Sequence, residues 1–549
     1  MGAFVAPMRE HFVGEIRSTL LVLLAAVGFV LLIACANIAN LLLARATIRR
    51  REIAIRTALG AGRLEIVRQL LTENLLLALC GGTVGLLISL WSLRFLEKLV
   101  PSGISGLASL SVDIRVLSFT LAISLLTGVI CGLVPAFQAL RVDLHHVLKQ
   151  GGARAAAGGR GLQRALVVSE VALAFVLTVG ASLMIQTLAR VRGIDTGFRT
   201  DHILSVRMAP PGRKYRDAAK RTAFYDGILR RVTALPGVVS AGFSNGVPIA
   251  FKGWVDGFTI EGQPTLGGNT ITNANYRVVT PDYLRTLAVP LRQGRTIDSH
   301  DSADALPVVL INEAMKRKFW PNESPLGKRF RFGSAEPWIS IVGVVGDVRQ
   351  AGLDTAPRAE LYLPATQRPD LANWLAVRTQ GDPGHLAAAV REAIRAVDPD
   401  SPIADVRSME DILDREVFPR HVNTLLLAVF AALALLLASI GVYGVLAYVV
   451  SQRTQEIGIR MALGASPAEV LQSVLGQGVA LGAAGVGIGV VAALGVTRAL
   501  SKLLFGVTPT DPATFVLVAA VLLAVAAAAS YIPALKAMRV DPIAALREE

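Results

Sequence analysis

Glu52 and Arg56 stand four residues apart, and so do Glu456 and Arg460. On a helix that spacing lets a carboxylate and a guanidinium meet on one face. The chemistry this offers is recognition rather than catalysis: a charged pair set among apolar residues that another surface can grip. The apolar residues are Ile53, Ile55 and Leu59 in the first segment and Ile457, Ile459 and Leu463 in the second, each followed by a glycine, Gly60 or Gly464. The two segments are copies of one motif, Glu-Ile-x-Ile-Arg-x-Ala-Leu-Gly-Ala. A second matched pair follows, from Pro135-Ala136 to Arg141-Val142-Asp143 and from Pro533-Ala534 to Arg539-Val540-Asp541. A single ion pair of this kind is worth only a few tenths of a kcal/mol. Recurrence of the charged and apolar positions together points to a shared docking role.

Signatures of an enzyme are missing. No G-x-x-x-x-G-K-[ST] phosphate loop occurs, so ATP is not expected to bind this chain in that manner, and neither H-E-x-x-H nor C-x-x-C is present. His145 and His146 are adjacent and do not share a helix face, which argues against a metal site. Asp298, His300, Asp301 and Asp304 read as a solvated polar loop.

The elements that position the motif are membrane helices. The chain has 549 residues, of which 53% are hydrophobic and only 17% charged. Asp, Glu, Lys and Arg are absent from 19–44, 74–93, 116–140, 171–189, 422–452, 470–497 and 512–535. At 1.5 Å per residue each run can cross a hydrocarbon core of roughly 30 Å. Seven transmembrane helices are therefore expected, at about 19–44, 72–97, 114–137, 165–189, 422–450, 470–498 and 512–533. The net charge of +14 does not imply nucleic acid, because of where it lies. Arginines and lysines follow the first, third, fifth and seventh helices, whereas the loops 98–113 and 502–511 are poor in them. By the positive-inside rule both motifs and the C-terminus lie in the cytoplasm. Residues 1–18 then form an extracytoplasmic tail, 144–164 a cytoplasmic linker rich in Gly and Ala, and 190–420 a large extracytoplasmic domain.

Within the membrane, Asn37 and Asn40 on the first helix match Gly441 and Gly444 on the fifth. Small residues allow close approach and Asn can hydrogen-bond across it, so helix packing is expected there. The sixth helix carries Gly476, Gly478, Gly482, Gly485, Gly487 and Gly489, another packing signal. Glu170 falls near the cytoplasmic start of the fourth helix, where it is expected to reach the interface. No central chain of carboxylates suits proton-driven transport. Ser466-Pro467-Ala468-Glu469 has the form of a capping box opening the sixth helix.

The outer segment mixes strand and helix patterns. Strands are expected at 202–207, 238–242, 308–311, 338–345 and 374–378, with helices at 218–235, 313–319 and 385–397. This is an α+β domain of about 230 residues, with room for one or two subdomains. The three cysteines, Cys35, Cys80 and Cys131, all lie in membrane runs, so the domain has no disulfide.

The repeated motifs, each with three helices, resemble the FtsX-like permease module, here at 19–143 and 421–549. The outer domain resembles the MacB-type periplasmic core domain through Asn312-Glu313, Phe319-Trp320-Pro321, Pro325-Leu326-Gly327-Lys328 and Ile341-Val342-Gly343-Val344-Val345. The layout resembles the duplicated bacterial orphan permeases of that superfamily. The resemblance implies an α-helical protein of the bacterial cytoplasmic membrane that is no enzyme alone. A separate ABC ATPase dimer, carrying ATP and Mg, would dock on the two turns and drive efflux or mechanotransmission through the outer domain. It leaves open a second permease chain or an envelope partner. An alternative from another class is a membrane-held scaffold controlling a partner such as a cell-wall hydrolase. Against the duplicated pattern, one outer domain and the helix before it are missing, so the chain is expected to be either truncated or naturally short.

Overall fold

A computed structural model describes residues 8–48, 63–99, 113–140, 153–209, 214–215, 217–262, 272–333, 336–368 and 372–539. The chain divides into two compact units, Met1–Leu188 with Arg420–Glu549, and Ala189–Pro419.

The first unit is helical because a bilayer offers no partner for backbone N–H and C=O groups, and a helix satisfies them internally. It contains α1 (Met8–Ile48), α2 (Arg63–Leu99), α3 (Ile114–Leu140) and α4 (Ala153–Arg192). Among the described residues, six helices are long and apolar enough to span a membrane; α3 contributes a shorter apolar stretch, Ile114–Val129. Several helices start earlier than expected: α2 at Arg63 rather than about 72, and the helix expected from 422 at Met409, inside the expected outer domain. α1 begins at Met8, inside the expected tail, and α4 begins at Ala153, inside the segment expected to be a linker. Alanine is the best helix former, and here it carries the helix across Gly158, Gly159 and Gly161. α2 and α3 pack closely: a Cβ on Gly128 would stand 2.8 Å from Ala78 Cβ, and one on Gly82 would stand 3.2 Å from Ser124 Oγ.

α4 is the helix at the centre of the core. About two thirds of its apolar window is buried (67%), against none of that of α2. Val167, Val171, Phe175, Val179 and Leu183 form its buried row.

The second unit follows α4. Its strands are β1 (Ile203–Met208), β2 (Val238–Ser244), β3 (Trp254–Gly257), β4 (Thr259–Ile260), β5 (Asn273–Val279), β6 (Leu291–Gly294), β7 (Val308–Asn312), β8 (Arg329–Arg331), β9 (Ile339–Val345), β10 (Glu360–Pro364), β11 (Trp374–Thr379) and β12 (Ile403–Ser408). Its helices are α5 (Ala218–Thr233), α6 (Tyr283–Thr286), α7 (Glu313–Phe319) and α8 (Ala387–Arg395). The strand order β12-β1-β11-β2 is antiparallel throughout, with α5 joining β1 to β2 and α8 joining β11 to β12. This is a split βαβ arrangement of the ferredoxin-like type. Phe224, Ile228 and Val232 of α5 meet Val390 and Ile394 of α8 over this sheet.

Everything from β3 to β10 is inserted between β2 and β11. These strands build a second core around Val309, Ile311, Met315, Trp320, Phe330 and Leu361. One pairing, Ser244 with Val279, links β2 to β5 and so joins the two halves. The residues that carry the outer-domain resemblance serve this second core. The Asn312 side chain caps α7 by accepting from the Met315 N–H at 2.9 Å, accepts from the Glu360 N–H at 3.0 Å and donates to the Arg358 carbonyl at 2.8 Å. Trp320 fills the core, and Gly327 turns the chain at φ +77 into β8.

Charged residues also enter the interior. Arg277 on β5 donates to Glu360 on β10 at 3.1 Å, and both are buried. Gln350 and Tyr362 donate to the second carboxylate oxygen at 3.2 and 2.9 Å. The loop expected to be solvated is likewise structural: Asp301 is buried and accepts two bonds from Arg295, at 2.8 and 2.7 Å. The Arg295 guanidinium holds the Asp301 carboxyl below its usual range. A depressed carboxylate stabilises the fold above its unfolded pKa, and that contribution is lost as pH falls through the folded value. Asp301→Asn is therefore expected to lower stability by about 1 kcal/mol at neutral pH, the pair being half-exposed on its Arg295 side. The difference from the wild type should vanish in acid. Unfolding midpoints measured across pH 3–7 check this (about the carboxylate range).

From Arg420 onward the last helices belong again to the first unit. α9 (Met409–Gln452) leads to α10 (Thr454–Ala462), α11 (Pro467–Ala499) and α12 (Pro512–Met538). The capping box at α11 has both bonds, Ser466 Oγ accepting from the Glu469 N–H and Glu469 Oε2 accepting from the Ser466 N–H, each at 3.4 Å. The glycines of α11 divide into two sets. A Cβ on Gly485 would lie 2.6 Å from Val171 Cβ, and one on Gly489 would lie 2.8 Å from Phe175 Cβ, both on α4. Gly482 meets Ala526 of α12 at 3.0 Å. Gly476 and Gly487 have nothing within 4 Å. Gly485→Leu is expected to cost about 2 kcal/mol by forcing α4 and α11 apart. Gly487→Leu should leave stability unchanged. Unfolding of the purified chain in lipid nanodiscs separates the two.

Candidate functional site

The described copy of the repeated motif forms α10 and the turn after it. α10 starts immediately after α9 and ends where Gly464 adopts φ +99, a left-handed conformation that favours glycine. The Ala465 N–H closes the turn on the Arg460 carbonyl at 3.0 Å. α11 begins two residues later.

The apolar residues of the motif face two ways. Ile457 and Met461 pack against a cluster of Val450, Val470, Val474, Ala534 and Ala537. That anchors α10 to α9, α11 and α12. Ile459 is 42% exposed and Leu463 83% exposed. Ile457 is thus partly buried against the protein's own helices, whereas Ile459 and Leu463 are presented outward. Beside them Arg460 donates to Glu456 at 2.6 Å, and Arg453 stands 3.8 Å from the same carboxylate. A cavity of about 160 Å³ opens there, lined by Arg453, Glu456, Ile457, Arg460, Glu469 and Gln477 among others. No metal-binding group of His, Cys, Asp and Glu occurs among the described residues.

The first copy of the motif, with Glu52, Ile53, Ile55, Arg56, Leu59 and Gly60, lies outside the described residues, as do His145 and His146. The Asn and Gly positions in the membrane are described. Asn37 Nδ2 donates to the Leu437 carbonyl of α9 at 2.9 Å, and a Cβ on Gly441 would stand 2.9 Å from Asn37 Oδ1. Asn40 Nδ2 donates instead to Glu170 on α4, at 3.3 Å. A Cβ on Gly444 would meet nothing within 4 Å. Glu170 corrects an expectation: it does not reach a polar interface but is fully buried. Its neighbours on α4, Val167, Val171 and Ala174, are buried apolar residues. That run of apolar residues around a lone carboxylate was the signal in the sequence.

Two family models match the chain. The family model of the FtsX-like permease C-terminal region matches residues 24–144 and again 428–542. That of the MacB-like periplasmic core domain matches 165–397. The chain is a MacB/FtsX-type ABC permease. It is therefore a multi-pass membrane protein whose MacB-like domain is extracytoplasmic. The macrolide export ATP-binding/permease protein MacB of Mannheimia succiniciproducens is 26% identical over 307 residues, covering 53% of this chain and 46% of the relative. The pyoverdine export ATP-binding/permease protein PvdT of Pseudomonas savastanoi pv. phaseolicola is 28% identical over 270 residues, covering 47% of this chain and 40% of the relative. The chain thus spans less than half the length of these curated relatives. Among solved structures, the periplasmic region of MacB from Actinobacillus actinomycetemcomitans is similar at 16% identity and TM-score 0.29, covering 42% of this chain and 97% of that one.

As an exposed i, i+4 pair, Glu456–Arg460 contributes about 0.3 kcal/mol to the permease's own stability. Glu456→Ala should leave the unfolding midpoint nearly unchanged. A large drop would show that the pair holds the fold together rather than facing a partner.

Proposed function

We propose that this permease couples ATP hydrolysis on a separate ATPase dimer, which carries ATP and Mg, to movement of its extracytoplasmic domain. The single observation that carries the reading is the two-sided α10. Its inner face is packed against α9, α11 and α12, while Ile459 and Leu463 stand exposed beside the Glu456–Arg460 pair. An apolar pair rimmed by charge suits a protein partner. Connectivity supports the cytoplasmic side: α9 enters from the extracytoplasmic domain, and one crossing carries the chain to the opposite face, where α10 lies. Closure of the ATPase dimer would push α10 and, through its packed inner face, tilt the helices that lead outward. The matching segment 52–61 would receive the second ATPase subunit. The names of the curated relatives, which combine ATP binding with export of a macrolide or pyoverdine, favour export as the outcome.

Burying a leucine-sized side chain is worth about 1.5–3 kcal/mol, roughly a tenfold to hundredfold change in affinity. Ile459→Asp with Leu463→Asp is expected to lose at least that much affinity for the cognate ATPase in pull-down from nanodiscs, while the unfolding midpoint is retained. Undiminished ATPase binding by this double variant would overturn the docking site.

A further inference from the structure

A buried carboxylate sits where three spanning helices meet. Glu170 on α4 has no exposed surface, and Asn37 and Asn40 on α1 are buried with it. Asn40 Nδ2 donates to Glu170 Oε1 at 3.3 Å. A Cβ on Gly441 of α9 would overlap Glu170 Oε2 and stand 2.9 Å from Asn37 Oδ1, so carboxyl and amide oxygens crowd one face of that helix. Two of the acceptors, Glu170 Oε2 and Asn40 Oδ1, have no hydrogen-bond partner among the described residues.

What this cluster lacks, among the described residues, is a donor for these two oxygens. An ionised carboxylate away from water needs a cation or several N–H groups, and its burial without them is costly. Among the described residues, no Lys, Arg or His pairs with Glu170. The stretches of α1, α9, α11 and α12 that build the bundle, 19–44, 422–452, 470–497 and 512–535, contain no Asp, Glu, Lys, Arg or His. On α4 itself the nearest basic residue is Arg164, six positions away and exposed. A protonated carboxyl, by contrast, brings one O–H donor into a set of unfilled acceptors.

We propose that Glu170 is a proton-binding site: in the assembled bundle it carries one proton on Oε2 and donates that hydrogen to an asparagine side-chain oxygen of α1. The proton comes from water, and no bond between heavy atoms forms or breaks. So held, the neutral carboxyl ties α1 of the first helix triplet to α4 and to α9 of the second. Loss of the proton would leave a bare charge at this junction and drive the three helices apart or admit water. The inference is independent of where an ATPase docks.

The test is infrared difference spectroscopy of the full chain in lipid nanodiscs at neutral pH, wild type against Glu170→Gln. A protonated-carboxyl C=O band is expected in the wild type, absent from the variant and unchanged when sodium and potassium are replaced by choline. Glutamine keeps an N–H donor at the same place, so the unfolding midpoint should hold within about 3 °C. Asn40→Leu gives a second reading that does not need Glu170→Gln to fold. It removes the amide donor to Oε1 and should shift the band to higher frequency without abolishing it. Only ionised-carboxylate bands in the difference spectrum would overturn the proposal. So would a band that appears only once sodium and potassium are withdrawn, which would mean a metal cation occupies the site. A band that survives Glu170→Gln would belong to another acid and would overturn it equally.

Discussion

Lipid gives helices no hydrophobic reason to associate, so a membrane bundle rests on how closely its backbones can approach. In this permease that approach is made at Gly485 and Gly489 of α11, where Val171 and Phe175 of α4 occupy the space that side chains would otherwise fill. α4 is consequently the most buried of the spanning helices, and it is also the helix that leads into the extracytoplasmic domain. Gly482 repeats the contact toward α12, and Gly441 repeats it toward Glu170. Remove these close contacts and neither the central position of α4 nor the polar cluster around Glu170 can persist.

The repeated motif sits just before α11, the helix that carries these contacts. α10 is short, and a short helix has little stability of its own. Ile457 and Met461 supply what it lacks by joining the cluster of Val450, Val470 and Val474. The remaining apolar side chains, Ile459 and Leu463, are then left facing outward by helix geometry alone. A rigid inner face with an exposed outer one is the arrangement a transmitted push requires, and this division gives the motif its proposed meaning.

In the extracytoplasmic domain, most of the longer elements were legible because their signals are local, though β5 and β12 were not expected. β1, α5, β2, β7, α7, β9 and β11 all follow periodicities contained in their own residues. The short strands β3, β4, β6 and β8 carry too few residues for a pattern. β10 was hidden by Glu360 at its start and Pro364 at its end. Its place is decided by pairing with β5 and β7, and its charge is accommodated by Arg277. Asp301 misled in the same way, since an acidic loop reads as solvated until Arg295 folds over it.

The sequence by itself determined six of the seven expected spans, the repeat, the α11 cap and the family, because hydropathy, spacing and capping depend on residues within a few positions of one another. Only the tertiary structure decided which glycines of α11 are contacts, which isoleucine of the motif faces inward and how deeply Glu170 is buried. Each of those outcomes depends on partners far away in the chain. Glu170 meets Asn40, 130 residues earlier, and Gly441 on a helix beyond the whole extracytoplasmic domain. Burial is a property of the neighbours a fold supplies, and no local pattern encodes neighbours at that distance.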